Sequence, residues 1–146
     1  MDKTRVDRAV MCFSSGFSCS QAILSTYAEQ LGLDRCTALK VSGAFGGGMA
    51  RMGDTCGAVT GAFMAIGLKH GNTELEDEES KTRTYAVVRE FVERFKATHT
   101  SIVCRELLGC EIGTPEGKQM FDDQGFKDKK CKKFVEDAAT ILEEIL

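Results

Sequence analysis

The sequence contains no tryptophan and one proline, Pro115, and nowhere alternates β-branched with polar residues as a half-buried strand would. A β-sheet is therefore not expected. A long hydrophobic run is also missing. The most apolar stretch, residues 56–68, falls short of the roughly 20 residues that cross a bilayer and is studded with glycine and alanine. The opening Met-Asp-Lys-Thr-Arg leads straight into a mixed amphipathic segment, without the apolar region of a secretory signal. The expectation is a cytoplasmic protein in a reducing compartment, with no membrane insertion.

No concentrated basic surface is present either. The net charge is −3 and the two signs are mixed along most of the chain, which argues against nucleic acid as a partner. The one basic cluster, Lys127, Lys129, Lys130, Lys132 and Lys133, has Asp122, Asp123 and Asp128 beside it and reads as a solvated face at a helix start. Several motifs are absent. Without Cys-x-x-Cys there is neither a thioredoxin motif nor a zinc ribbon, and without Cys-x-x-Cys-His there is no covalent haem attachment. No Ser-His-Asp pattern stands out. The two histidines, His70 and His99, fall near predicted helix ends, where a cation suits the helix dipole.

Helical periodicity, by contrast, is easy to find. A chain of 146 residues that is 42 % hydrophobic can bury a core without disulfide staples, so residues 1–146 are expected to form one domain. The predicted class is all-α, a single-domain helical bundle of about five to six helices. Val6, Ala9, Val10 and Phe13 mark a first helix ending near Gly16, and Ile23, Tyr27 and Leu31 a second from Cys19 to Leu31, stopped by Gly32. Asp34 can cap a short helix to Ser42, and Asp54 or Thr55 a helix from Cys56 to His70. Thr73 with Glu76 suggests a capping box for a long helix whose inner stripe is Tyr85, Val88, Val92 and Phe95. Ser101 opens a short turn closed by Gly109, and residues 110–125 read as irregular. Asp128 starts the last helix, with Phe134, Ala138, Ile141 and Ile145 facing inward.

Seven cysteines are the main oddity of composition. An odd count in a reducing compartment suits metal or redox chemistry better than a disulfide framework, although any single free cysteine is often a small buried hydrophobe. Their positions are informative. Cys19 follows Ser18, Cys56 follows Asp54-Thr55, and Cys104 and Cys131 lie three residues past Ser101 and Asp128. All four therefore fall in predicted first turns, where unpaired N–H groups and the helix dipole favour the thiolate that attacks disulfides and binds metals.

Two glycine features accompany them. Gly57 and Gly61, with Ala58, Ala62 and Ala65, leave one face of the Cys56 helix nearly bare, suited to close helix packing or to approach by a cofactor. Before it, Gly46, Gly47 and Gly48 with Arg51 could form an anion nest or a close-approach loop beside the cysteines. The phosphate-loop pattern is absent, and no strand feeds this loop.

Five blocks in order, Phe17-Ser18-Cys19-Ser20-Gln21-Ala22, Phe45-Gly46-Gly47-Gly48, Cys56-Gly57-Ala58-Val59-Thr60-Gly61-Ala62, Cys104-Arg105-Glu106-Leu107-Leu108-Gly109 and Cys131-Lys132-Lys133-Phe134-Val135, resemble the redox-active C_GCAxxG_C_C family over nearly the whole chain. The resemblance implies that Cys19, Cys56, Cys104 and Cys131 are the four signature cysteines and that their role is redox. Cys12, Cys36 and Cys110 lie outside the signature; they read as core residues, with Cys110 the one that could join the site.

Two chemistries fit four such thiols. In the first, pairs of them cycle between dithiol and disulfide, as in an oxidoreductase, with an undetermined redox partner. In the second they hold an iron–sulfur cluster or zinc, although most such sites draw two ligands from one short loop. A third reading is a helical docking domain with Gly57 and Gly61 at an interface, and a homo-oligomer is open. The redox class is the favoured expectation.

Overall fold

The computed structural model describes residues 4–146. Eight α-helices account for most of them, and among the described residues the only β feature is an isolated bridge between Thr55 and Val103. The all-α class holds, and the helices number more than the five to six expected. They are α1 (Arg5–Ser14), α2 (Cys19–Ala28), α3 (Arg35–Ser42), α4 (Gly57–His70), α5 (Glu78–His99), α6 (Cys104–Leu108), α7 (Pro115–Asp123) and α8 (Lys132–Ile145). Among the described residues no helix is long and apolar enough to cross a membrane.

The polar residues that flank the helices explain most of their starts. Thr4 and Ser18 each close a reciprocal capping box, with Asp7 and Gln21 respectively, and Asp34 accepts the Thr37 N–H at 2.9 Å. α2 tightens into a 3₁₀ turn, Glu29–Leu31, and Gly32 ends it in the left-handed conformation. α5 departs from expectation. The Thr73–Glu76 box does not form, because residues 73–77 make a turn and Asp77 caps the helix through the Ser80 N–H at 3.0 Å. Its inner stripe is Val88, Phe91 and Phe95, whereas Tyr85 is exposed.

Residues 110–125 are not irregular throughout. Thr114 caps α7 through the Gly117 N–H at 3.0 Å, and Pro115 takes the first helical position, where its missing N–H costs nothing. The start of the last helix also differs. A π-helical turn, Lys127–Cys131, runs directly into α8, so Asp128 is not a cap and Cys131 lies inside continuous helix. α8 buries Phe134, Ala138 and Ile141 as expected, with Ile145 half-buried.

The core gathers Ile23, Leu24 and Tyr27 of α2, Val59 and Ile66 of α4, Phe91 and Phe95 of α5, and Val135 and Leu142 of α8. Phe91 and Phe95 stack at 6.0 Å, and Phe134 leans on Phe95 at 6.3 Å. The Tyr27 hydroxyl donates to the Ala139 carbonyl at 3.1 Å and to Glu143 at 3.0 Å, so its buried polar end is satisfied. The closest pairing is α2 on α4. A Cβ at Gly61 would sit 2.9 Å from the Ser20 carbonyl oxygen and 3.0 Å from Ile23 Cβ, so α4 can approach only because that face is bare.

This contact makes opposite predictions for two glycines of one helix. A Cβ at Gly67 would meet nothing within 4 Å, so Gly67→Ala should stabilise by up to about 1 kcal/mol from helix propensity alone. Gly61→Ala gains the same propensity but pushes on backbone, and should destabilise by about 1–3 kcal/mol. Thermal melts of the two variants check it; equal rises in Tm would mean that the α2–α4 contact is not tight.

Candidate active site

Cys19 is the first residue of α2, Cys56 immediately precedes α4, Cys104 opens α6 and Cys131 ends the π-helical turn. Three of the four thus stand at helix starts as predicted. Cys131 does not, because the turn before α8 is itself helical. The cap of α6 also differs: Val103, not Ser101, occupies that position, while Ser101 Oγ accepts from the Val103 N–H at 3.0 Å and donates to Glu106.

All four line one cavity of about 750 Å³. The fold brings them there from four separate elements. Cys12 lies elsewhere, 3.7 Å from Ser25 Oγ, and Cys36 is exposed on α3. Cys110 is half-buried and packs against the core just past α6, without lining the cavity.

The four thiols are not equivalent. Cys19 is lowered to about 7, mainly because the Cys56 thiol donates to it, with the backbone N–H groups of Gly47, Ser20 and Cys19 itself adding to the effect against the cost of burial. Cys56 is pushed well above the ordinary thiol range by the same hydrogen bond, then by burial and by the negative charge on Cys19. Cys104 is pushed up to about 12, first by burial and then by the charge on Cys19. Cys131 is raised for the same two reasons in the same order. Of the four, Cys19 alone is shifted toward the thiolate, while the other three are held toward the protonated form. The thiolate is also the more accessible partner of its pair, since Cys19 is half-buried while Cys56 is only 5 % exposed.

The glycine-rich segment before α4 supplies one of the donors. Gly47, Gly48, Met49, Ala50 and Arg51 all have φ between 50° and 69°, a left-handed coil of five consecutive residues. For the three that carry a side chain this conformation costs about 1–2 kcal/mol each. The coil is held by unusually wide backbone bonds, Ala50 N–H to Ala44 O at 2.9 Å, Gly53 N–H to Gly47 O at 3.2 Å and Asp54 N–H to Gly48 O at 2.8 Å. It is then stitched to α6: the Cys104 N–H donates to Asp54 O, and the Arg105 guanidinium reaches Asp54 Oδ1 at 2.9 Å, the Met52 carbonyl at 3.2 Å and Glu111 at 3.4 Å.

Of the two readings of this loop, close approach describes what its glycines do. A Cβ on Gly46 would lie 2.7 Å from Ser18 Cβ, and one on Gly48 would lie 2.6 Å from Cys104 Cβ. Gly57 serves the same end on α4, where a side chain would run into the Cys19 sulfur. The bare face expected around Cys56 is thus occupied by α2 and by the Cys19 sulfur.

The remaining walls are aromatic and charged. Phe13, Phe17, Phe121 and Phe134 line the cavity with Leu107, Leu108 and Ile112, and Arg51, Lys118, Lys127, Asp122 and Asp128 stand among them. Lys118 pairs with Asp122 at 2.7 Å, and Lys127 lies over the Phe13 ring at 5.5 Å. Arg105, Phe13 and Phe121 were not singled out by sequence reasoning. A basic residue directly after a cysteine was visible for Arg105, but its acidic partners at 54 and 111 are distant in sequence. The histidines are elsewhere: His99 pairs with Asp137 at 2.7 Å and tilts on Phe95, and His70 ends α4 with Nε2 buried and unbonded.

Four thiols on one cavity have the right donor chemistry for a thiophilic metal. Yet among the described residues no three His, Cys, Asp or Glu side chains are gathered closely enough to hold a metal ion, so the side chains do not present a preformed single-ion cage.

Residues 17–145 match the family described as "Putative redox-active protein (C_GCAxxG_C_C)", and the chain belongs to that family. No curated protein and no solved structure matches it.

The donor geometry at Cys19 fixes a pH profile. Because its ionisation lies near 7, alkylation at Cys19 should rise with pH and level off above about 8, where an ordinary thiol near 9 is still climbing. Replacing Cys56 with alanine removes the largest stabilising donor, so the midpoint should move up and the rate at pH 7 should fall several-fold. Site-resolved alkylation by mass spectrometry reads both. An unchanged midpoint in Cys56→Ala would show that Cys56 does not hold the thiolate.

Proposed function

We propose that this member of the C_GCAxxG_C_C family is a thiol–disulfide redox protein in which Cys19 attacks and Cys56 resolves. The observation that carries this reading is the asymmetry of the pair: a half-buried thiolate at the start of α2, accepting from a buried, protonated thiol at the start of α4. A disulfide-exchange centre needs this division of labour, one sulfur ionised and reachable, the other protonated until it is required.

The Cys19 thiolate attacks one sulfur of a substrate disulfide, forming a mixed disulfide and releasing the first thiolate, which takes a proton from solvent. Cys56 then gives up its proton to solvent and attacks the Cys19 sulfur, forming the Cys19–Cys56 disulfide and releasing the second thiolate. Two electrons pass from the protein dithiol to the substrate. An external reducing dithiol returns the protein to its starting state by the reverse sequence. A cytoplasmic location, where such reductants are abundant, suits the cycle.

Cys104 and Cys131 favour a second reading. They share the cavity and feel the charge on Cys19, although the cycle above does not use them. An iron–sulfur cluster spans more space than a single ion, and ligation would take the protons that burial holds on these two thiols.

One set of measurements separates the readings. Under the thiol cycle, anaerobically purified protein is colourless and metal-free, Cys56→Ser traps a mixed disulfide on Cys19 as a mass adduct, Cys19→Ser abolishes exchange, and Cys36→Ser changes nothing. A visible charge-transfer spectrum with stoichiometric iron, lost in Cys104→Ser and Cys131→Ser, overturns the cycle in favour of the cluster.

A further inference from the structure

The cavity around Cys19 is closed on one side by the left-handed coil, and the last residue of that coil is Arg51. Its side chain lies back over Gly47, where a Cβ would meet Arg51 Cγ at 2.8 Å. Gly47 is the residue whose N–H reaches the Cys19 sulfur. Arg51 thus lines the same cavity as Cys19, and among the described residues it has no ionic or hydrogen-bonding side-chain partner. Of the other cations of the wall, Lys118 is paired with Asp122 at 2.7 Å, and Lys127 lies over the Phe13 ring at 5.5 Å as an ammonium rather than a planar fork. Arg105 on α6 is committed to Asp54, Met52 and Glu111. Among the described residues Arg51 is the one arginine that lines the cavity, and its backbone sits at φ 64°, which residues with side chains rarely adopt.

A cavity of about 750 Å³ is of the size that encloses a small molecule rather than a protein surface. Its aromatic walls suit the apolar body of such a ligand. A free guanidinium presents a planar fork matched to a carboxylate. Two carboxylates also line the cavity, but Asp122 is neutralised by Lys118 and Asp128 is exposed one residue from Lys127.

We propose that the substrate of the Cys19–Cys56 pair is a small disulfide bearing a carboxylate, which Arg51 binds while Cys19 attacks the sulfur. This rests on the thiol–disulfide reading and adds the substrate class. The chemistry is the two-step exchange described above, each half of the substrate disulfide being a short carboxylate-bearing chain. Arg51 is a specificity residue: it holds the anionic end and takes no part in the transfer of electrons.

The test compares three small disulfides that share the same reacting bond and differ in charge: 3,3′-dithiodipropionate, bis(2-hydroxyethyl) disulfide and cystamine. Reduced full-length protein should oxidise fastest with the anionic one. The ratio of anionic to neutral rates should fall about three- to tenfold in Arg51→Gln and be restored in Arg51→Lys, which keeps the charge. Because the readout is a ratio within one variant, a general loss of folding or reactivity does not imitate it. Exchange with all three disulfides at rates that ignore charge, or a ratio unmoved in Arg51→Gln, overturns the inference and leaves the redox reading standing. Failure to react with any of the three, in protein whose thiols are titratable, defeats the redox reading itself.

Discussion

Helices α2 and α4 meet where α4 carries no side chain, and the whole site depends on that contact. Gly61 lets the Ser20 carbonyl and Ile23 come against the α4 backbone, and one turn earlier Gly57 leaves room for a sulfur. The start of α2 is thereby laid on the start of α4, which places Cys19 within hydrogen-bonding reach of Cys56. A methyl group at either glycine would move the two helix starts apart. The helix-propensity cost of the mid-helix Gly61, about 1 kcal/mol, is the local expense of that approach. The core beneath, from Tyr27 to Phe95, is what holds the helices together once they are there.

A second constraint comes from the opposite side of the sulfur. Five residues in succession adopt left-handed φ values, three of them with side chains, and no local preference would keep them so. They persist because the chain on both sides is tied down: by the wide backbone bonds inside the coil, by the Asp54–Cys104 bond, and by Arg105, which spans Met52, Asp54 and Glu111. The coil is thus strained at the point where it offers an N–H to Cys19 and a guanidinium to the cavity. Strain of this kind accumulates where an arrangement has a task other than stability.

Much of this could be read from the chain, and the misses have physical causes. The caps Ser18 and Asp34 and the stop at Gly32 are local signals acting on adjacent residues, and they appear where the sequence put them. The bare face at Gly57 and Gly61 was also legible, though not what would fill it. What the sequence hid is non-local. Thr73 and Glu76 looked like a capping box, but Asp77 competes for the same helix start and is the residue whose carboxylate meets the Ser80 N–H. Cys131 looked like a helix-start cysteine because Asp128 resembles a cap, and the π-helical turn that removes the free N–H groups leaves no simple trace in composition. The left-handed φ of Met49, Ala50 and Arg51 contradicts the preference of each residue, so only the tertiary ties explain it.

The convergence of four thiols also limits how they can be charged. In a cavity walled by phenylalanine and leucine, one thiolate is affordable because Cys56 and three backbone N–H groups surround it. A second would face both the loss of water and the first charge, which is why Cys104 and Cys131 are raised, while Cys56 is raised first by its hydrogen bond to Cys19 and then by the same two causes. The site is therefore ordered before any substrate arrives. In the proposed cycle Cys19 is the thiol that begins the exchange. Once its sulfur is in a disulfide the charge that suppressed its neighbours is gone, and Cys56, relieved of its main opponent, becomes easier to ionise. In the proposed cycle the first step thus prepares the second, through the electrostatics of burial.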